Sequence, residues 1–302
     1  MKRLYVMMAG AALVVALAGC ETMNQITEGV TGIAVATGQL SEEEAGSINR
    51  TTRAVTKTFE DITPEQEYYI GRTVAATVLM GYRPLENGVL NNYVNRVGQS
   101  LAQFSSRPET FGGYRFLVLD SDEINAFAAP GGLVLVTRGL LACCETEDEL
   151  AAVLAHEIGH VEKQHGLRAI KTGRLSTALS TLAVESMKTM GSAELAEVTK
   201  AFDESIHDIS GTLMNSGYSR KLEFEADLCA VDILRAAGYT PGALVAMLEN
   251  MDKRWEPARL DFAATHPPPA DRIKELKRRG VETSKDTKPE RSRRFRAAVG
   301  AR

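Results

Sequence analysis

Two of the chain's 5 histidines, His156 and His160, stand four residues apart with Glu157 directly after the first. On a helix of 3.6 residues per turn, side chains four apart lie one above the other, so both imidazoles can be offered to a single zinc ion. Glu157 lies about a quarter turn round, near such an ion but outside the two-histidine chelate, where it can take a proton from water. This is an H-E-x-x-H pattern. The flanking Leu150, Val153, Leu154, Ile158 and Val161 would bury the helix and keep the site dry and rigid. Thr146 followed by Glu149 forms an S/T-x-x-E capping box at its start.

Two histidines do not complete a zinc site. The helix is expected to continue past His160 to His165, which lies five positions on and well off the chelating face. The metzincin spacing fails as well, because Lys163 stands where its glycine belongs and Gly166 where its third histidine belongs. A third ligand must come from elsewhere, and Glu223-Phe224-Glu225-Ala226-Asp227 is the candidate. Glu223 and Asp227 share one helical face, so one carboxylate can meet the metal while the other holds the outer nitrogen of a ligand histidine. Alone, such a pattern is more often a solvated helical face. Cys143, Cys144 and Cys229 receive no metal role: adjacent cysteines bridge each other only with strain, and they read as small packing residues. A bond from Cys143 or Cys144 to Cys229 stays open.

The elements that must position these residues are mostly helical. Thr63-Pro64-Glu65 starts a helix to about Met80, and a second is expected over 86–104. Strands are expected over 114–120 and 133–136, separated by Asn125-Ala126-Phe127 and a Pro130-Gly131-Gly132 turn. The strand beside that turn is either an edge able to pair with an extended peptide or an interior strand. Residues 168–215 are read as a helical hairpin or a lid. Further helices are expected from Ser219 to Ala237, up to about Met251, and over 269–279. The fold class is α+β, mostly α, with a small β-sheet around an H-E-x-x-H helix.

The ends of the chain have a different character. Met1-Lys2-Arg3 and the apolar run from Leu4 to Ala18 have the layout of a signal peptide, too short for a comfortable membrane span. Leu17-Ala18-Gly19-Cys20 resembles the bacterial lipobox, which implies a lipidated Cys20 holding the protein to a membrane, with Glu21 favouring the outer one. Residues 1–20 are then leader, 21–60 tether, 61–283 the catalytic domain, and 284–302 a disordered basic tail carrying Arg291, Arg293, Arg294 and Arg296. A net charge of −4 argues against nucleic acid as a partner.

Four ordered motifs together carry a family resemblance over residues 60–280: His156-Glu-Ile-Gly-His160 with His165, Glu223-x-Glu-Ala-Asp227, Asn125-Ala-Phe with the Pro-Gly-Gly turn, and Thr265-His266-Pro-Pro-Pro-Ala-Asp271-Arg272. The chain resembles the zinc metallopeptidases of the CAAX prenyl protease/HtpX-like group (gluzincins), in particular their soluble periplasmic and lipoprotein members. The resemblance implies one zinc per chain held by His156, His160 and Glu223, with Glu157 as general base and Asp227 orienting a ligand histidine. His266 matches a position that approaches the metal in a resting state, or else is a structural loop residue. Arg272 fixes that loop through an ion pair or contacts substrate. It also implies an endopeptidase of the bacterial envelope, facing the periplasm, that removes misfolded or misassembled envelope proteins. The alternative is a latched protease fold acting as an assembly chaperone or scaffold. Oligomeric state is not legible.

Overall fold

The computed structural model describes residues 63–168, 217–254 and 268–300, together with His266 and short pieces of 28–49 and 210–214. The leader, most of the tether and nearly all of the 168–215 stretch lie outside the described residues. The chain divides into two compact units, Ile62–Ile170 with Ile206–Arg302, and Met1–Asp61 with Lys171–Ser205. Within the second, Thr31 donates to Asn49 Oδ1 at 2.9 Å. Every element below belongs to the first unit. No helix among the described residues is long and apolar enough to cross a membrane.

The described unit is mostly helical with a three-stranded sheet. Helices α1 (Pro64–Gly81) and α2 (Gly88–Ala102) precede strands β1 (Arg115–Leu119), β2 (Ala126–Ala129) and β3 (Leu133–Thr137). Then come α3 (Arg138–Cys143), α4 (Glu147–Glu162), α5 (Arg220–Ala236), α6 (Ala243–Lys253), α7 (Pro269–Arg278) and α8 (Pro289–Val299). The strand order is β1-β3-β2, with β1 parallel and β2 antiparallel to β3.

Alternation along the strands divides the sheet between two apolar layers. Phe116, Val118, Ala126, Ala128, Val134 and Val136 face the main core of α2, α4, α5 and α6. Leu119, Phe127, Ala129 and Leu135 face Val74, Ala75 and Val78 of α1. The outer edge of β1 is closed by a short antiparallel bridge at Pro84, with Leu85 N donating to Val118 O and Asp120 N to Arg83 O, and by side chains of α2. Asn91 and Asn95, one turn apart on α2, accept from Val118 N (2.9 Å) and Phe116 N (3.0 Å), and Asn95 donates back to Phe116 O. That satisfies backbone groups an open edge would leave free. β2 is the opposite edge strand, yet all four of its residues are buried.

The Pro-Gly-Gly turn between β2 and β3 needs glycine, since Gly131 and Gly132 have φ of 77° and 96°. Glu67 of α1, buried and paired with Arg107, accepts from Gly131 N at 3.0 Å. A Cβ on Gly71 would lie 1.8 Å from Pro130 O, so α1 rests directly on this turn.

The expected disordered tail is corrected by the structure. Residues 289–299 form α8, which buries Arg291, Phe295 and Ala298 against the body. The cause lies at the start of α4, where Glu147, Asp148 and Glu149 are buried at the positive end of the helix dipole. Arg294 forks onto Glu147 (2.9 and 2.5 Å), which also accepts from Tyr93 Oη and Tyr239 Oη. Arg291 reaches Asp148 Oδ1 at 3.1 Å while its guanidinium lies 3.8 Å over the Tyr239 ring. Arg291 and Arg294 are counter-charges of the H-E-x-x-H helix, whereas Arg293 pairs with Glu290 of α8 itself. Truncating Arg291 to alanine strips a charged partner from a buried aspartate, which keeps its bonds from Thr240 N and Thr287 Oγ1. A loss of about 2–3 kcal/mol in urea unfolding is expected; a change within about 0.5 kcal/mol would be that of a solvated tail.

Candidate metal centre

Two helices build the site. Thr146 caps α4 by accepting from Glu149 N at 3.1 Å, and the helix is buried along nearly its whole length. α5 crosses it at Gly159, where a Cβ would sit 2.9 Å from Ala226 O and 3.1 Å from Cys229 Cβ. The bare glycine between the two histidines lets α5 bring Glu223 and Asp227 onto them. α7 packs against α5 and adds the buried Arg272.

His156, His160, Glu223 and His266 offer ligand atoms that all lie within 4.8 Å of one another, and all four residues are buried. The Nε2 atoms of His156 and His160 are 3.1 Å apart, and Glu223 carboxylate oxygens lie 3.4 and 3.5 Å from them. His266 Nε2 is 3.8 Å from Glu223 Oε1. Glu157 is buried at the same place and lines an apolar pocket with Phe127, Ala128, Tyr218 and His266.

The outer sides of the histidines are occupied. His156 Nδ1 meets Asp227 Oδ1 at 2.9 Å, and Asp227 is gripped through both oxygens by Arg272 Nε (2.9 Å) and Nη2 (2.5 Å). His160 Nδ1 meets His165 Nδ1 at 2.9 Å. Both Nε2 atoms are thereby left to converge on the centre. There, neither Glu223 oxygen accepts a hydrogen bond from a described residue, and Arg272 Nη1 stays 3.8 Å away.

These features fit a divalent cation. Two imidazole nitrogens at 3.1 Å need either a proton or a metal ion between them. Burial and Arg272 oppose a proton on His156, but Asp227 and Glu223 hold it up to about 9, so a proton occupies this place when no metal does. Arg272 is paired with Asp227, which leaves Glu223 and Glu157 as buried carboxylates that a bound cation would offset. Burial pushes Glu223 up from the usual carboxylate range. Burial also opposes ionisation of Asp227, but the Arg272 charge and the His156 hydrogen bond hold it at about 2. His160 and His266 are driven well below the ordinary histidine value by burial and by His156, which keeps them neutral and able to donate a lone pair.

The structure brings together all six residues singled out from the sequence: His156, Glu157, His160, Glu223, Asp227 and His266. Arg272 is neither a loop anchor alone nor exposed to a substrate: it is the buried counter-charge of Asp227. The helix does not continue to His165 as expected. α4 ends at Glu162, Gln164 takes a φ of 54°, and the turn swings the His165 ring back against His160. Tyr218, stacked on His160 with ring centroids 4.4 Å apart, was not foreseen. Its one sequence signal is adjacency to the Glu223 helix.

Comparison with known proteins places residues 89–280 within the model of Peptidase family M48. The chain belongs to peptidase family M48. It is 29% identical over 221 residues to the "Beta-barrel assembly-enhancing protease" of Escherichia coli, covering 70% of this chain and 42% of that protein. It is 32% identical over 190 residues to "Mitochondrial metalloendopeptidase OMA1" of Schizosaccharomyces pombe, covering 61% and 51%. With "Metalloprotease LoiP" of Escherichia coli it shares 30% over 165 residues, covering 54% and 62%. The chain thus spans about half the length of these curated relatives.

Glu157 is shifted as well. Burial pushes its carboxyl up to about 7, with His156 opposing and Glu223 adding to the rise. In chelator-treated protein the folded state therefore keeps the Glu157 proton between its ordinary 4.5 and about 7, while the unfolded chain has released it. Relative to Glu157→Gln, wild-type stability should fall over that window, by on the order of 3 kcal/mol, and level off above it. Urea unfolding of both proteins at pH 5 and pH 8 measures this. A gap that does not change with pH would contradict the buried-carboxyl description.

Proposed function

We propose that this chain is a zinc-dependent endopeptidase of the bacterial cell envelope, with a gluzincin-type active site on α4 and α5. The observation that carries the reading is the convergence of His156, His160 and Glu223 beside a buried Glu157. These three residues would hold one zinc ion. Bound there, zinc acts as a Lewis acid that polarises a peptide carbonyl and makes water more acidic. Glu157 takes the proton from the attacking water and passes it to the leaving amine, a task suited to a carboxyl held near neutrality. Asp227 keeps His156 in the tautomer that leaves Nε2 bare, and Arg272 locks Asp227 in place.

The domain is assigned to residues 61–299, extended past 283 because α8 packs on the catalytic helix. Residues 1–20 are assigned as a lipoprotein leader and 21–60 as a tether. With Cys20 lipidated, the enzyme faces the periplasm from a membrane, the outer one by the residue after Cys20. The names of the Escherichia coli relatives support an envelope role, and unfolded or misassembled envelope proteins are the proposed substrates.

His266 supports a second state. Its place in the ligand group completes a four-donor set, the pattern of closed rather than open zinc sites. The pocket between Glu157, Tyr218 and His266 has only ≈ 20 Å³ of room, enough for about one water. A latched form acting as an assembly chaperone or scaffold follows from that arrangement. Casein cleavage by the full-length protein in detergent, with zinc content read alongside, tests both readings. Glu157→Gln is expected to lose about 10²-fold or more in rate with zinc retained, and His266→Ala to cleave faster. Undiminished cleavage by Glu157→Gln would remove it as the base, and unchanged or slower cleavage by His266→Ala would remove the latch.

A further inference from the structure

Each of the two zinc-facing histidines on α4 has an outer partner, and the partners differ. His156 has the buried Asp227 directly. His160 has His165, which is fully buried, and behind it Glu225 at 3.3 Å from His165 Nε2. Arg168, one helical turn beyond His165, donates to the same Glu225 oxygen at 3.1 Å. Local backbone makes this contact possible. The left-handed Gln164 reverses the chain after α4. Gly166 then lets it close on Pro130 and Tyr218, since a Cβ there would meet Pro130 Cγ at 3.0 Å and Tyr218 Oη at 3.3 Å.

Donor and acceptor bookkeeping assigns the protons along this chain. An ionised carboxylate only accepts, so His165 Nε2 carries the hydrogen that faces Glu225. A neutral His165 then has a bare Nδ1. The 2.9 Å contact between the two Nδ1 atoms requires one donor, which must be His160. His160 Nε2 is therefore bare, and it is the atom that faces His156 Nε2 and Glu223. Tyr218, stacked on the His160 ring at an interplanar angle of 18°, opposes tilting of the ring.

We propose that His165 is a positioning residue of the metal centre: held by Glu225, it accepts the Nδ1 proton of His160 and so presents the bare Nε2 of His160 to the ion. The inference rests on the zinc reading above only in naming the ion, because the proton assignment is a property of the metal-free protein as well. It also explains why the chain turns back after α4 instead of continuing the helix.

The test uses full-length protein in detergent, labelled with 15N histidine, as wild type, His165→Phe, His165→Gln and Glu225→Ala. Phenylalanine keeps a ring against Tyr218 but offers no acceptor, glutamine restores an acceptor oxygen, and Glu225 is one-third exposed, so its loss is tolerated by folding. In metal-free wild type, the His160 nitrogen shifts should report Nδ1–H and a bare Nε2. In His165→Phe they should move toward Nε2–H, in Glu225→Ala part of the way, and in His165→Gln back toward wild type. Zinc affinity by competition with a chelating dye should fall about 10- to 100-fold in His165→Phe and recover in part in His165→Gln. A wild-type His160 protonated on Nε2, or shifts and affinity unaltered in both His165→Phe and Glu225→Ala, would overturn the proposal. Wild type that shows the Nδ1–H pattern yet binds no zinc would support the positioning role while defeating the metal reading.

Discussion

The site depends on how closely α4 and α5 approach at Gly159. Helices with ordinary side chains at their contact pack 8–10 Å apart. Here the missing side chain lets the backbone of Ala226 press against the turn between His156 and His160. Glu223 lies one turn before Ala226 and Asp227 one residue after it, so the same approach delivers the proposed third ligand and the His156 partner. A larger residue at 159 would lift both from the histidines without altering any ligand.

Holding that contact requires burying charge, which folding alone does not favour. Ions taken from water cost several kcal/mol each after relaxation, and pairing repays this only with good geometry and satisfied hydrogen bonds. Asp227 and Arg272 meet that condition through a two-pronged pair with a histidine behind it. Glu223 does not, because its oxygens accept no hydrogen bond from the described residues. The first turn of α4 balances charge in a similar way, with Arg291 and Arg294 of α8 set against Asp148 and Glu147. Both ends of the catalytic helix are thus held by residues distant in sequence, and its middle is held by the apolar core.

What was legible in the sequence follows helical spacing. His156 with His160 and Glu223 with Asp227 are local patterns, and local spacing survives folding. The strands near 114–120 and 133–136 and the Pro-Gly-Gly turn were legible from their residue types; β2, Ala126–Ala129, was not, because four small or aromatic residues before the turn carry no strand pattern of their own. Arg272 was visible as a residue but not as the partner of Asp227, since that contact joins helices 45 residues apart. His165 was misplaced because a single left-handed residue, Gln164, breaks the helical register; glutamine is not a usual stop signal and nothing nearby announced one. The last segment was misread because its arginines look solvated in isolation. Arg291, Phe295 and Ala298 do recur at helical spacing, but their acidic partners lie on the far side of the chain.

The donors at the metal decide what this site is. X-ray absorption at the zinc edge of the purified full-length protein tests their identity most directly. The account predicts nitrogen and oxygen neighbours at about 2.0–2.2 Å, with scattering from two or three imidazoles and no sulfur. Sulfur at about 2.3 Å would point to Cys143, Cys144 or Cys229 instead, and with fewer than two imidazoles would contradict the site as described.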